Sequence, residues 1–188
     1  MVAGFLFATL ASYNQEKAMN RPLISEYHEY YHRYVTNVKG DVLDTMQNSL
    51  DKYVKLLSTP GLDLDHKYGP EKWTLRECIV HLCDSDRIFA YRALRIGRGD
   101  DTALAGFEQD SFIKYNDFSH LTAEDLIAMI KTTINSTITL FRHMRKEDTE
   151  KIGTAFNSPV SVRALAYMTA GHAIHHLHLF EEKYGLSV

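Results

Sequence analysis

The sequence predicts an all-α protein: an up-and-down four-helix bundle with one longer crossover between the second and third helices. Three observations carry this. Four stretches repeat apolar residues at steps of three and four, the period of a helix with one buried face. No segment alternates convincingly with the period of two expected of a half-buried strand. The four prolines, Pro22, Pro60, Pro70 and Pro159, punctuate the chain at what read as element boundaries.

The first helix is expected from about Asp41 to Ser58. Val42, Met46, Leu50, Tyr53 and Leu57 make one stripe, and Pro60-Gly61 stops it. The second starts at Thr74-Leu-Arg-Glu77, a capping box in which the two side chains satisfy each other's free amides. Leu75, Cys78, Ile79, Leu82, Phe89 and Ala93 supply its buried face, and Gly97 ends it. The third begins at Thr122-Ala-Glu-Asp125 and runs through Leu126, Ile130, Ile134, Ile138 and Phe141. The fourth begins near Ser161 and ends at Tyr184-Gly185. The loop from Arg98 to His120 is long enough to cover one end of the bundle.

At 188 residues the chain fits one domain able to bury a core without disulfides. Its composition, 45% hydrophobic and 24% charged, is that of a globular protein and excludes disorder. The formal charge of -3, with both signs interspersed, is no footprint for nucleic acid. Cys78 and Cys83 point to different faces of one helix, so they do not pair with each other. Free thiols suggest a reducing, cytoplasmic setting. Residues 1–20 read as a poorly ordered N-terminal extension and residues 21–188 as the domain. The apolar run from Val2 to Ala11 is too short to span a bilayer. No Lys or Arg precedes it, so a fraying extension is favoured over a signal peptide. No membrane partner is expected.

The fourth helix carries the chemistry. Its stripe reads Val162, Leu165, Thr169, His172, His176, Leu179, so two histidines sit where leucines belong. Two adjacent buried imidazoles sacrifice apolar burial and leave ring nitrogens needing partners. A shared metal ion satisfies both, and an i,i+4 pair is the spacing of helical zinc sites. His81, beside the buried face of the second helix, is the best third ligand. Three histidines leave an open coordination position, the mark of a catalytic site. Imidazole suits zinc, nickel, copper or iron alike. Against this, ten histidines yield an i,i+4 pair by chance on the order of half the time. A second pair, His28 and His32, lies in a polar, aromatic segment without an apolar stripe. Periodicity alone does not choose between a metal site and satisfied core histidines. His175 and His178 fall off the stripe and are read as solvent-facing.

Asp84 lies one turn after His81. It either orients a ligand histidine, accepts a proton from a nucleophile, or is a surface carboxylate paired with Arg87 or Arg92. Cys78 is read as a buried, inert thiol and Trp73 as a packing anchor. No Gly-rich phosphate loop, CxxC or Gly-x-Ser-x-Gly elbow is present.

Trp73-Thr-Leu-Arg-Glu77 followed by His81-Leu-Cys-Asp84 resembles the second-helix motif of the DinB-like superfamily, which includes the YfiT-type metal-dependent hydrolases. Gly171-His-Ala-Ile-His-His176 resembles its last-helix motif, in which the first and third histidines bind metal. Phe89-Ala-Tyr-Arg-Ala-Leu-Arg95 and Gly106-Phe-Glu-Gln-Asp110 also look like the family's pattern, and the resemblance runs from about Arg21 to the C-terminus. It implies His81, His172 and His176 as ligands of one divalent transition metal, nickel or zinc, often in a homodimer. Three functions then compete: transfer of a low-molecular-weight thiol to an electrophile, hydrolysis by activated water, and a non-catalytic metal-binding stress protein. The first needs a pocket for a small-molecule thiol lined by arginines such as Arg87, Arg92 or Arg95. The second needs a general base, with Asp84 or Glu108 as candidates. The third predicts a closed site.

Overall fold

A computed structural model describes residues 19–188; the apolar run between Val2 and Ala11 lies outside the described residues. Two 3-10 turns, Ile24–Glu26 and Glu29–Tyr31, lead into a short helix α1 (His32–Asn37). The four long helices are α2 (Val42–Leu57), α3 (Leu75–Gly97), α5 (Ala123–Arg142) and α7 (Val162–Glu182). Short helices α4 (Gln109–Lys114) and α6 (Lys146–Thr149) lie in the connections.

The starts of the long helices are chemically determined. Asp41 accepts from the amides of Leu43 and Asp44 at the head of α2. Thr74 and Glu77 form a complete capping box on α3, and Thr122 and Asp125 form another on α5. Ser161 caps α7 by accepting from the Ala164 amide. Each such cap is worth about 1 kcal/mol, because it satisfies amides that the first turn leaves free.

The helices bury their stripes against one another, with Tyr53, Leu75, Ile79, Leu126, Ile130 and Leu165 fully enclosed. The order around the bundle does not follow the chain. α2 packs between α5 and α7, and so does α3, which leaves the successive helices α2 and α3 on a diagonal. The connection from Ser58 to Thr74 therefore has to cross one end of the bundle. α3 and α7 run antiparallel: Cys78 meets Tyr184 at one end, and Gly97 approaches Val162 at the other. That alignment brings the middle of α7 to the first turns of α3.

One element differs from expectation. Residues expected to hold no strand form a small antiparallel hairpin, β1 (Ile152–Ala155) and β2 (Ser158–Ser161), with Ile152 opposite Ser161. Leu104, in the crossover, adds a bridge to Ala155. The hairpin turns through Phe156 (φ 51) and Asn157 (φ 59), both left-handed, as a tight two-residue turn of type I′ demands.

The N-terminal segment is also more deeply embedded than its polar, aromatic composition suggests. Tyr27, Tyr34, Val35 and Val38 are buried, and α1 lies along α7. Buried Glu26 anchors its start, accepting from the Ser161 hydroxyl and pairing with Arg163.

Candidate metal centre

His81 comes from the second turn of α3, and His172 and His176 from successive turns of α7. All three are buried, at 4%, 7% and 6% exposure. Their Nε2 atoms converge. His172 Nε2 lies 3.2 Å from His81 Nε2 and 3.1 Å from His176 Nε2, and the three side chains offer nitrogens all within 4.8 Å of one another. In a neutral imidazole each ring nitrogen carries either one N–H or one lone pair, so His172 Nε2 can fully serve one of its two neighbours as a hydrogen-bond partner but not both. A tetrahedral ion with ligands at about 2.05 Å sets them about 3.3 Å apart, close to what is found. The residues present fit a divalent metal.

The surroundings hold the rings in place. Trp73 packs on His81 with ring centres 4.8 Å apart, so the packing anchor is also a wall of the site. The Trp73 carbonyl accepts from the Tyr184 hydroxyl, which also contacts the Cys78 thiol. Tyr34 of α1 lies edge-on to His172 at 5.2 Å, and Phe89 approaches the same ring at 6.4 Å. Ser85 Oγ stands 3.5 Å from His81 Nδ1, while His176 Nδ1 is buried without a hydrogen-bond partner among the described residues.

Burial sets the electrostatics. It lowers the His81 pKa to about 4, and it pushes His172 and His176 well below the ordinary value, with the neighbouring histidines adding to the effect. The imidazoles are therefore neutral at pH 7, the form that coordinates metal. Burial also drives the thiols of Cys78 and Cys83 up to about 11 and about 12, so neither is a thiolate nucleophile at neutral pH.

The other candidates sort differently. Asp84 turns to Arg87 at 3.0 Å rather than to a site imidazole, which is the surface-pair alternative. Arg87 is thereby engaged with it, and Arg95 pairs with Asp100. Arg92 is buried. Glu108 stands exposed at the start of α4. His178 is exposed, whereas His175 is half-buried against Tyr34 at 5.4 Å.

One group escaped the sequence reading. Asp86 is buried in the bundle and accepts a hydrogen bond from the Thr137 hydroxyl of α5. Burial raises its pKa to about 7, against the lowering effects of Thr137 and Arg87. A cavity of about 20 Å³, water-sized, is lined by Asp86, Tyr53, Thr169 and His172 among others. The signal was available: Asp86 falls between Leu82 and Phe89 on the apolar stripe of α3, just as the histidines do on α7. A recess of about 300 Å³ between Lys52, His178 and Glu181 touches none of the three site histidines.

An antiparallel helical bundle whose three buried imidazoles converge, with no carboxylate in the group among the described residues, is a helical fold with a site able to hold a metal ion. The sequence model of the DinB superfamily matches residues 43–180, and the chain belongs to that superfamily. Among solved structures it is similar to YfiT from Bacillus subtilis, described as a probable metal-dependent hydrolase with an unusual four-helix bundle topology. Identity is 16%, the TM-score is 0.64, and the match covers 90% of this chain and 95% of that one. No curated protein matches the sequence. No helix among the described residues is long and apolar enough to cross a membrane.

Proposed function

We propose that this protein is a metal-dependent enzyme, with His81, His172 and His176 holding one nickel or zinc ion, that transfers a low-molecular-weight thiol to an electrophilic small molecule. The convergence of three Nε2 atoms in a buried site carries the reading. All three donors are neutral and no carboxylate joins them, so an ion held here keeps its full charge and favours an anionic co-substrate such as a thiolate. Trp73, Tyr34 and Phe89 surround the histidines and limit water at the site. A free thiol has a pKa near 8.5, so it reaches its anionic form without a dedicated base.

Hydrolysis is the second reading, favoured by the description of the YfiT structure. It asks more of this chain. Water needs a general base, and Asp84 is held by Arg87 while Glu108 stands exposed. The test is metal analysis of protein purified without a tag, followed by a panel of thiols against a chlorobimane electrophile. The expected result is one equivalent of metal and thiol-dependent product formation that disappears in His172→Ala. Ester hydrolysis without any thiol requirement would overturn the transferase reading in favour of the hydrolase. Protein without bound metal, and unable to take any up, would overturn both.

A further inference from the structure

Arg92 is a buried cation that meets no counter-charge among the described residues. It is 4% exposed, and among the described residues it makes no salt bridge. One nitrogen donates to the Ala105 carbonyl at 2.7 Å. Phe89 and Phe107 lie beside the guanidinium, at 6.0 and 5.8 Å from their ring centres. A guanidinium carries five N–H donors, so most of its capacity is unused. Its neighbours Arg87 and Arg95 are both engaged with aspartates. Burial presses the Arg92 pKa downward, and only the Tyr31 phenol opposes that. Enclosing a charge this way is unfavourable unless an opposite charge meets it.

A cavity lies against this side chain. It measures about 20 Å³, room for a ligand's polar head and little more, is partly open, and is lined by Arg92, Tyr31, Ser158, Val160, Leu165 and Met168. The hairpin therefore has a role: β2 forms one wall, α7 another, and the 3-10 turn before α1 a third. We propose that this cavity binds the carboxylate of a small organic acid, with Arg92 as its anchor. The planar guanidinium fork matches two carboxylate oxygens, and the Ser158 hydroxyl can add a third contact. A dianionic phosphate carries more charge than the single guanidinium cancels, so a carboxylate is the better match. The apolar walls suit a short hydrocarbon body leaving through the mouth.

The cavity is close to the metal centre. Met168 precedes His172 by one helical turn on α7, about 6 Å along the axis. Tyr31 packs edge-on to Phe89 at 6.2 Å, and Phe89 reaches the His172 ring. The inference deepens the function proposed above: the anchored acid group belongs to the molecule whose reacting end meets the histidines. It rests on that reading for the identification of the ligand as substrate, not for binding itself.

Methyl-labelled protein, metal content as purified, is titrated with butyrate, butyramide and inorganic phosphate. Butyrate is expected to move the Met168 and Ala155 methyl signals, and butyramide and phosphate to leave them in place. Arg92→Met should weaken butyrate binding about tenfold or more, and Arg92→Lys should weaken it less. Should Arg92→Met fail to fold by circular dichroism, Ser158→Glu replaces it. Its own carboxylate occupies the anchor, and butyrate shifts should vanish. Equal shifts with butyramide, stronger binding of phosphate, or wild-type affinity in the folded variant would each overturn the acid site. Butyrate binding at Arg92 in a protein without thiol-transfer activity would leave the acid site standing and overturn only its assignment to a transferase substrate.

Discussion

Asp86 is where a single residue changes how the protein responds to pH. In the native state burial holds its proton up to about pH 7, whereas an unfolded aspartate loses it near 3.9. Its contribution to stability is thus fully present in acid and is lost as pH rises through 7. The three histidines have the opposite sign. Their native pKa values lie below the unfolded value near 6.5, with His81 at about 4, so their contribution is present above 6.5 and lost as pH falls toward 4. Between pH 4 and 6.5 three groups oppose one, and the metal-free protein should lose stability on acidification. Asp86→Asn preserves an acceptor for Thr137 and removes the charge. At pH 8 the variant should be about 1–3 kcal/mol more stable than the parent, because a buried unpaired carboxylate is gone. At pH 5, where native Asp86 is neutral and only the unfolded one is ionised, the gap should be smaller, and it should close below about pH 4. Urea midpoints at both pH values decide it: identical midpoints at pH 8 would mean that the carboxylate is not strained by its burial. The buried acid and the buried histidines were legible by the same rule, a polar residue in a leucine position. The histidines stand out because two follow each other at four-residue spacing, whereas Asp86 is a single polar residue on its stripe with no partner at helical spacing to mark it.

At the scale of elements, Gly171 fixes how α1 meets α7. A Cβ at this position would fall 1.9 Å from the Tyr34 carbonyl oxygen, and backbone cannot swing away as a side-chain tip can. Gly171→Ala should therefore push α1 off α7, costing about 1–3 kcal/mol as an overpacking change. It should also loosen Tyr34 from His172, which the fluorescence of tyrosine or the exchange of the His172 ring signals would report. A variant as stable as the parent, with those signals unchanged, would show that the helices separate without consequence. Long amphipathic helices with capping residues were readable because periodicity and caps agree: Asp41, Thr74, Thr122 and Ser161 all cap where the pattern starts. The hairpin was not readable. Its strands are four residues each, and its turn uses Phe156-Asn157 where Asn-Gly would have announced it. Nor was the order of helices around the bundle, since an apolar stripe says that a face is buried and not against which partner. α1 was hidden for a third reason: it is six residues long, and beside Val35 its buried residue is Tyr34, whose ring buries while its hydroxyl accepts from Arg33, so the segment reads as polar.

For the whole molecule, the question is whether an ion held as proposed would keep the bundle together or only equip it. The fold has an extensive core of its own. Fully enclosed residues come from α2, α3, α5 and α7, and the Glu26–Arg163 contact ties down the N-terminal segment without help from the site. The histidines come from the second turn of α3 and from successive turns in the middle of α7. Burial leaves them neutral, so removing the ion creates no buried charge and leaves only imperfectly satisfied nitrogens. The double change His172→Ala with His176→Ala removes those nitrogens and opens a cavity, two effects of opposite sign. The double variant should bind no metal yet keep its helical circular dichroism, with stability within about 2 kcal/mol of the metal-free parent. Added zinc or nickel should raise the melting temperature of the parent by mass action and leave that of the variant unmoved. Acid should release the ion only well below pH 6.5, because protons compete poorly for imidazoles that burial already keeps neutral. A double variant that is unfolded at room temperature would make the ion a structural staple, and the catalytic reading would lose its main support.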